Sequence, residues 1–425
     1  LVEQEGFDLA SSYAVPVIPV EDLQGKLGLL LKVFYSDPSA KLSLVGVTGT
    51  NGKSSCVLFV AQALRALGRR IGVLGTIGNG VWPDLRGADL TTPDAIGLHE
   101  WINNFANNGI QHVAMEVSSH ALVQRRVDQL SFDVAVFTSL SHEHLDYHGS
   151  MEAYAQAKFQ LFQVPSLRVG VVNLDDPYGR QLLEQRPDLR WIGYTMEGRG
   201  GCSDRVKAEE VVPSLHGFQL TVSTPWGRWP MALPLLGRFN IANMLAAVAV
   251  LGALGFELDQ LQAAVGQLMP VEGRMQTLFR TEAPAVVVDY AHTPDALEKV
   301  LLALREHMLG KIWCVFGCGG DRDKTKRPVM GSIAERYADT VVVTSDNCRG
   351  ESIEQIMNDI RAGFDVADDI IEIVDRREAI TFAVQSAGRD DIVLLAGKGH
   401  EKTLFAGQSG EQRLSDFDLA ELVLG

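Results

Sequence analysis

The chain has 425 residues, with 38 Lys and Arg against 53 Asp and Glu (net charge −15), 46% apolar residues and 21% charged residues. At roughly 100–200 residues per domain this allows two or three globular domains, and the acidic balance argues against nucleic acid or an anionic membrane surface as partner while leaving room for a local phosphate pocket. No run reaches the roughly 18 apolar residues of a membrane span, so no membrane insertion is expected, and the scattered cysteines Cys56, Cys202, Cys314, Cys318 and Cys348 form neither a disulfide framework nor a zinc site, as in a reducing cytoplasm.

The chain opens at Leu1 without a basic and then apolar leader, which reads as no signal peptide and as a start part-way into a longer protein. Residues 1–40 read as the tail of a preceding domain with its linker. Apolar runs at Leu42–Val47, Ile71–Leu74, His112–Met115, Asp133–Phe137 and Val169–Val172 alternate with helical patterns, the signature of parallel βαβ units. Over Asp204–Pro230 the texture changes to alternating segments with a Pro-Trp-Gly turn, a small antiparallel insertion, before helix resumes over Gly237–Leu251. A second α/β pattern follows, with strands expected at Ala285–Asp289, Ile312–Phe316, Thr340–Thr344, Ile370–Val374 and Ile392–Leu395. The fold class is therefore α/β: a central domain over 41–272 with a parallel sheet, and a Rossmann-like domain over 273–425.

The sharpest motif is Gly46-Val-Thr-Gly-Thr-Asn-Gly-Lys-Ser54 between a strand and a helix. Its glycines let backbone N–H groups turn toward phosphate oxygens, Lys53 reaches the terminal phosphates, and Ser54 offers a hydroxyl to Mg²⁺. Val47 stands where the common phosphate-loop spacing has glycine. Two further clusters follow strands of the same sheet: Glu116-Val-Ser-Ser-His120, and Ser139 to His148 with Glu143, His144 and Asp146. Ligands of parallel sheets bind beyond the carboxyl ends of strands, so Glu116 and His144 are candidate metal ligands, although a lone histidine is more often a structural group. Lys158, one turn after Tyr154 in the helical run Met151–Phe162, reads on chemistry alone as a solvated helix lysine. Thr92-Pro93-Asp94 and Thr293-Pro294-Asp295 read as threonine N-caps with proline at the first helical position.

In the last domain, Gly317–Lys324, Ser345–Glu351 and Gly397–Glu401 follow three neighbouring strands. Arginines among carboxylates there suit a zwitterionic amino acid, or are ordinary loop solvation.

In order along the chain, Gly46–Ser54, Glu116–His120, His144–Gly149, Tyr154–Lys158, Gly237–Asn243, Gly273–Met275, Asp289–Asp295, Asp346–Arg349 and Gly397–Glu401 resemble the motifs of the Mur ligase family. The resemblance covers nearly the whole chain. It implies a uridine-binding domain represented here only by its tail, a central ATPase domain and a C-terminal amino-acid domain that must close on it. By the same token Gly49, Thr50, Asn51, Gly52, Lys53, Ser54 and Ser55 would hold the ATP phosphates, Asn243 the adenine, Arg274 a phosphate and Asp289 the ribose. Thr91, Thr92, Ser118, Gln124 and Arg126 would hold UDP-N-acetylmuramoyl-L-alanyl-D-glutamate. Lys158 matches a lysine that the family carbamylates, which would join Ser54, Glu116 and His144 around Mg²⁺; Lys53, Lys158, His144 and Arg274 are the expected catalytic set.

Arg322, Asp346, Asn347, Cys348, Arg349, Gly397 and Glu401 match positions that bind meso-2,6-diaminopimelate, with Arg349 on its second carboxylate, so that a buried arginine left unpaired would penalise lysine. Cys348 replaces the usual proline, and Ser139 and Glu143 depart from the usual asparagine and aspartate. The implied activity is ATP-dependent amide formation in peptidoglycan precursor synthesis, by a cytoplasmic monomer. A sister ligase specific for lysine, a folylpolyglutamate-type ligase and a nucleotide-gated binding protein are the alternatives.

Overall fold

The computed structural model describes residues 2–3, 17–307, 310–366, 370–405, 411–413 and 415–425, so part of the tail expected over 1–40 lies outside the described residues. In chain order the elements are β1 (Val2–Glu3), β2 (Pro19–Val20), α1 (Leu23–Phe34), β3 (Ser43–Thr48), α2 (Lys53–Ala66), β4 (Ile71–Gly75), β5 (Gly78–Val81), β6 (Asp84–Arg86), α3 (Ala95–Asn107), β7 (His112–Glu116), α4 (Ser119–Val123), β8 (Val134–Phe137), α5 (Leu145–His148), α6 (Met151–Phe159), β9 (Val169–Asn173), α7 (Pro177–Gln185), β10 (Arg190–Thr195), β11 (Asp204–Ser214), β12 (Gly217–Thr224), β13 (Gly227–Leu233), α8 (Arg238–Ala253) and α9 (Leu258–Val265). Then come β14 (Gln276–Leu278), β15 (Ala285–Asp289), α10 (Pro294–His307), β16 (Ile312–Phe316), α11 (Lys326–Tyr337), β17 (Thr340–Val343), α12 (Ile353–Arg361), β18 (Ile370–Glu372), α13 (Arg376–Ser386), β19 (Ile392–Ala396), β20 (Thr403–Phe405), β21 (Glu411–Arg413) and α14 (Asp416–Leu424). Two compact units result, the described parts of Leu1–Glu209, Thr221–Met231 and Ile241–Leu268, and of Glu210–Leu220, Ala232–Asn240 and Met269–Gly425.

The first unit is built on a sheet in the order β13-β12-β11-β10-β9-β8-β3-β7-β4-β5-β6. From β10 to β4 every neighbouring pair is parallel, and β4, β5 and β6 close the far edge as antiparallel hairpins. The small antiparallel segment expected over Asp204–Pro230 joins this same sheet, where β11 pairs in parallel with β10 through Ile192–Thr195 and Asp204–Lys207. The central strands β3, β4, β7, β8 and β9 are buried along nearly their whole length because both faces are covered. Small residues within them make room for rings: a Cβ on Gly46 would lie 2.7 Å from the Phe132 ring, on Gly72 2.8 Å from Phe105, and on Gly170 2.3 Å from Trp191. The helix after Thr92 starts two residues later than the N-cap expectation. Asp94 is its N-cap, accepting from the N–H groups of Ile96 and Gly97 at 3.0 Å each, while the Thr92 hydroxyl donates elsewhere. A carboxylate caps more strongly than a hydroxyl near the helix dipole.

The second unit carries a six-stranded sheet in the order β14-β15-β19-β16-β17-β18, antiparallel only at β14. Alternate strand residues serve two cores. Val287, Cys314, Val343 and Leu394 pack with Leu297, Leu301, Met330, Ile356 and Ile360 of α10, α11 and α12. Val286, Val315, Val342 and Leu395 pack with Ala379, Ile380, Ala383 and Leu419 of α13 and α14. This is the α/β architecture expected from the alternating pattern, and no described helix is long and apolar enough to cross a membrane. Leu394 is fully buried in the first of these cores. Leu394→Ala is expected to cost about 2–5 kcal/mol, measured by urea unfolding; a loss within error of zero would mean that this strand is not the centre of the unit.

Candidate active site

The strand β3 delivers the chain into the phosphate-loop motif, and α2 begins at Lys53, immediately after it. Val47 is fully buried within the strand, so the loop proper starts later than the common spacing places it. Gly49 has φ +148° and a Cβ there would lie 1.9 Å from Thr138 Oγ1, so no other residue fits. Gly52 has φ +86°, and as N-cap of α2 it leaves the first N–H groups of the helix without a side-chain cap. The residues after β8 hold the loop from beneath. Thr138 Oγ1 donates to the Asn51 carbonyl at 2.6 Å, Thr50 N donates to the Ser139 carbonyl at 2.7 Å, and Asn51 N donates to Ser139 Oγ at 3.3 Å. Ser139, one of the departures from the family pattern, is thus part of the loop's support. Asn243 of α8 stands against Gly52, its Oδ1 2.5 Å from where a Cβ would be.

Two lysines converge on this loop. Lys53 Nζ donates to the carbonyls of Gly49 at 3.0 Å and Thr50 at 2.8 Å, and Lys158 Nζ donates to the same Gly49 carbonyl at 2.8 Å. Lys158 is 1% exposed, which overturns its reading as a solvated helix lysine: α6 turns that face inward, against the Tyr154 ring 4.4 Å away. Burial, reinforced by the charge of Lys53, holds its ammonium well below the usual lysine range. The Tyr154 hydroxyl in turn lies 3.2 Å from Thr50 Oγ1, and burial pushes its phenol up.

Beside the loop, Ser54 Oγ donates to the buried Glu116 carboxylate at 2.9 Å, and Thr76 N donates to the same oxygen at 2.8 Å. The Thr76 hydroxyl lies 3.1 Å from that of Thr91. Thr92 Oγ1 donates to the Glu116 carbonyl at 2.9 Å and accepts from Ser118 N at 3.0 Å. Arg126 Nη1 donates to the Thr92 carbonyl at 2.8 Å, and its Nε to Gln124 Oε1 at 2.9 Å. Thr91, Thr92, Ser118, Gln124 and Arg126 therefore form one connected network running from Glu116. His144 is exposed, at φ +57°, with its ring 4.9 Å from that of His120 and 6.2 Å from Tyr154. Among the described residues no group of three or more His, Cys, Asp and Glu is placed to hold a metal. The buried Ser54–Glu116 pair nonetheless fits Mg²⁺, which keeps several waters and takes one or two protein oxygens plus phosphates.

In the second unit, the loops after β16, β17 and β19 lie side by side because those strands are neighbours. Asn347 Nδ2 donates to Glu401 Oε2 at 3.0 Å, Asp321 N to Glu351 at 2.6 Å, and Gly350 N to Asp321 at 2.9 Å. A Cβ on Gly397, which has φ +110°, would sit 3.1 Å from Asp346 Oδ2. Cys348 is 1% exposed and packs into the core, which anchors the loop where proline is usual. Burial raises the Glu401 carboxyl, against the pull of Lys398. Arg349 corrects one expectation. It is exposed, at φ +49°, with Nη1 donating to the Gly320 carbonyl at 2.8 Å, so no buried guanidinium awaits a partner. Arg322 is exposed as well. Elsewhere in the unit, Arg274 lies over the Tyr290 ring at 4.4 Å. Asp289 is buried and accepts from the N–H groups of Met275 at 2.7 Å and Ala291 at 2.8 Å; burial raises its carboxyl.

Sequence reasoning assigned no role to Thr76, Tyr154, Thr138 or Tyr290. Only Tyr154 carried a signal, its place one turn before Lys158.

Family models match over residues 47–251 (Mur ligase middle domain) and 273–399 (Mur ligase, glutamate ligase domain). The UDP-N-acetylmuramoyl-L-alanyl-D-glutamate–2,6-diaminopimelate ligase of Coxiella burnetii is 49% identical over 92% of this chain and 80% of its own length. The ligase of that name from Pseudomonas putida is 48% identical over 99% and 86%. A solved structure of a ligase of that name superposes with TM-score 0.72 at 36% identity, over 97% of this chain and 85% of that one. Folylpolyglutamate synthase of Mycobacterium tuberculosis, at 20% identity and TM-score 0.70 over 87% and 91%, shares the fold alone.

Gly49→Ala would drive a methyl group into Thr138 at a φ that side chains avoid, and is expected to weaken ATP binding about tenfold or more. Calorimetric titration checks this, and unchanged affinity would mean that the loop does not need this backbone.

Proposed function

The chain belongs to the Mur ligase family, and from that premise we propose how its residues carry out ligation. It is an ATP-dependent ligase that adds 2,6-diaminopimelate to UDP-N-acetylmuramoyl-L-alanyl-D-glutamate in peptidoglycan precursor synthesis. The observation that carries the mechanism is the direct junction of the phosphate loop with the Thr92–Arg126 network through Ser54 and Glu116.

A carboxylate is a poor electrophile. The γ-carboxylate of the D-glutamyl residue therefore takes the terminal phosphoryl group of ATP, giving an acyl phosphate and ADP. The amine of meso-diaminopimelate then attacks the acyl carbon, the C–O bond to phosphate breaks, inorganic phosphate leaves and the amine loses a proton. Lys53 and the N–H groups of Gly49–Ser55 offset the charge on the phosphates, which makes the chemistry largely positional and electrostatic. Arg274 serves the same end, with Asn243 on the adenine and Asp289 on the ribose. Thr91, Thr92, Ser118, Gln124 and Arg126 orient the UDP-sugar dipeptide.

Ser54, Glu116, His144 and a carbamylated Lys158 would hold Mg²⁺, which supplies Lewis-acid neutralisation of phosphate charge. What supports the carbamate is the depressed lysine: a neutral amine is the form that adds to CO₂, releasing one proton and leaving a carboxylate-like group where a cation stood. Arg322, Asp346, Asn347, Cys348, Arg349, Gly397 and Glu401 would receive the amino acid, with Arg349 on the second carboxylate. On this reading residues 41–272 form the ATP-binding domain and 273–425 the amino-acid domain, and the enzyme works as a cytoplasmic monomer on small-molecule substrates.

Phosphate release with ATP, Mg²⁺ and the UDP-sugar dipeptide is expected to require meso-diaminopimelate, with kcat/KM about 10- to 100-fold above that for L-lysine, the worth of one charged hydrogen-bonded pair. Equal rates with lysine would sink the role given to Arg349, and a Lys53→Ala enzyme that still turned over would sink the phosphate loop's. Incubation with ¹³C-bicarbonate is expected to give one carbamate resonance that disappears in Lys158→Ala; its absence from the active enzyme would remove the carbamate.

A further inference from the structure

Arg327 and Arg376 are the largest side chains that the second unit buries completely. Arg376, the first residue of α13, donates through Nε to Asp416 Oδ1 at 2.8 Å and through Nη2 to Asp416 Oδ2 at 2.6 Å. Asp416, the first residue of α14, is also fully buried. The remaining donors leave this ion pair. Nη2 reaches the Ala396 carbonyl at 3.1 Å and Nη1 the Ser345 carbonyl at 3.4 Å. Those two carbonyls belong to the residues immediately before Gly397 and Asp346, so one guanidinium grips two of the three pocket loops where each leaves its strand.

Stability alone does not explain such a pair. Replacing a buried ion pair by apolar residues of similar size is often neutral or stabilising, because the desolvation of both charges is recovered. A guanidinium has five donors in a rigid fork, and here the fork spans a carboxylate and two separate backbone segments. An ammonium on a flexible stem does not match that geometry.

We propose that Arg376, held by Asp416, is a positioning residue for the amine substrate: it sets the spacing of the loops at Ser345–Arg349 and Ala396–Glu401, so that Asp346, Asn347, Arg349 and Glu401 meet one amino acid. This rests on reading those loops as the amine pocket. Arg376 itself is fully buried and acts through the loops. Its charge also lies close enough to Asp346 and Glu401 to interact with both.

The test is the steady-state kinetics of the full chain carrying Arg376→Met with Asp416→Leu, beside Arg376→Lys and the core variant Val286→Ala as a control for lost stability. The double variant is expected to fold, with the amine KM raised about tenfold or more and the ATP KM within about twofold of wild type. Arg376→Lys is expected to raise the amine KM in the same direction, and Val286→Ala to lower the unfolding midpoint without moving it. A folded double variant with wild-type amine KM overturns the proposal, as does an equal rise in the KM values for ATP and amine. Should the double variant not fold, a folded Arg376→Lys enzyme with unchanged amine KM overturns it. If the wild type takes lysine in place of diaminopimelate, the reading of Arg349 fails, and the comparison run with lysine still decides on Arg376.

Discussion

Two ammonium groups, on Lys53 and Lys158, donate to a single carbonyl oxygen, that of Gly49, and much of the first unit is arranged to make this tolerable. Like charges this close repel strongly away from water. Lys158 yields, since burial and its neighbour both favour the neutral amine, while Lys53 stays half-buried at the start of α2. The geometry of the loop follows from the same point. The Gly49 carbonyl faces the lysines only because its backbone adopts a conformation open to glycine, and Thr138 and Ser139 hold the next residues from below.

The chemistry sits on ends while the stability sits in bodies. In both units the central strands are buried along most of their length, and polar residues gather where those strands stop. Asp321 and Arg349, in the loops after β16 and β17, have positive φ without being glycine. Each such residue costs about 1–3 kcal/mol, a cost that a core as extensive as the double-sided packing of β15, β16, β17 and β19 offsets. Buried arginines bridge the two regimes. Arg327 ties Glu351 and Asp359 beneath one pocket loop, and Arg376 ties two others to α14.

Some of this was legible in the residues. Phosphate-loop spacing, strand-helix alternation and polar segments after strands are local patterns, set by backbone hydrogen bonding and by the need to bury one face of every element. The expectations that went astray concern contacts between distant segments. Thr92 looked like a helix cap, but its hydroxyl meets the Glu116 carbonyl across two strands, which leaves capping to Asp94. Local pattern also left open where the small segment over Asp204–Pro230 attaches, which its first strand decides by pairing with β10.

The sequence by itself determined the α/β class, the order of the motifs and the residue types available at each strand end, because those depend on neighbours a few positions away. Only the tertiary structure decided which groups lose water. Whether Lys158 is a solvated cation or a buried amine, whether Arg349 is enclosed or open, and where the fork of Arg376 points are set by segments tens of residues distant. Charge, pKa and hydrogen-bond satisfaction all depend on that burial.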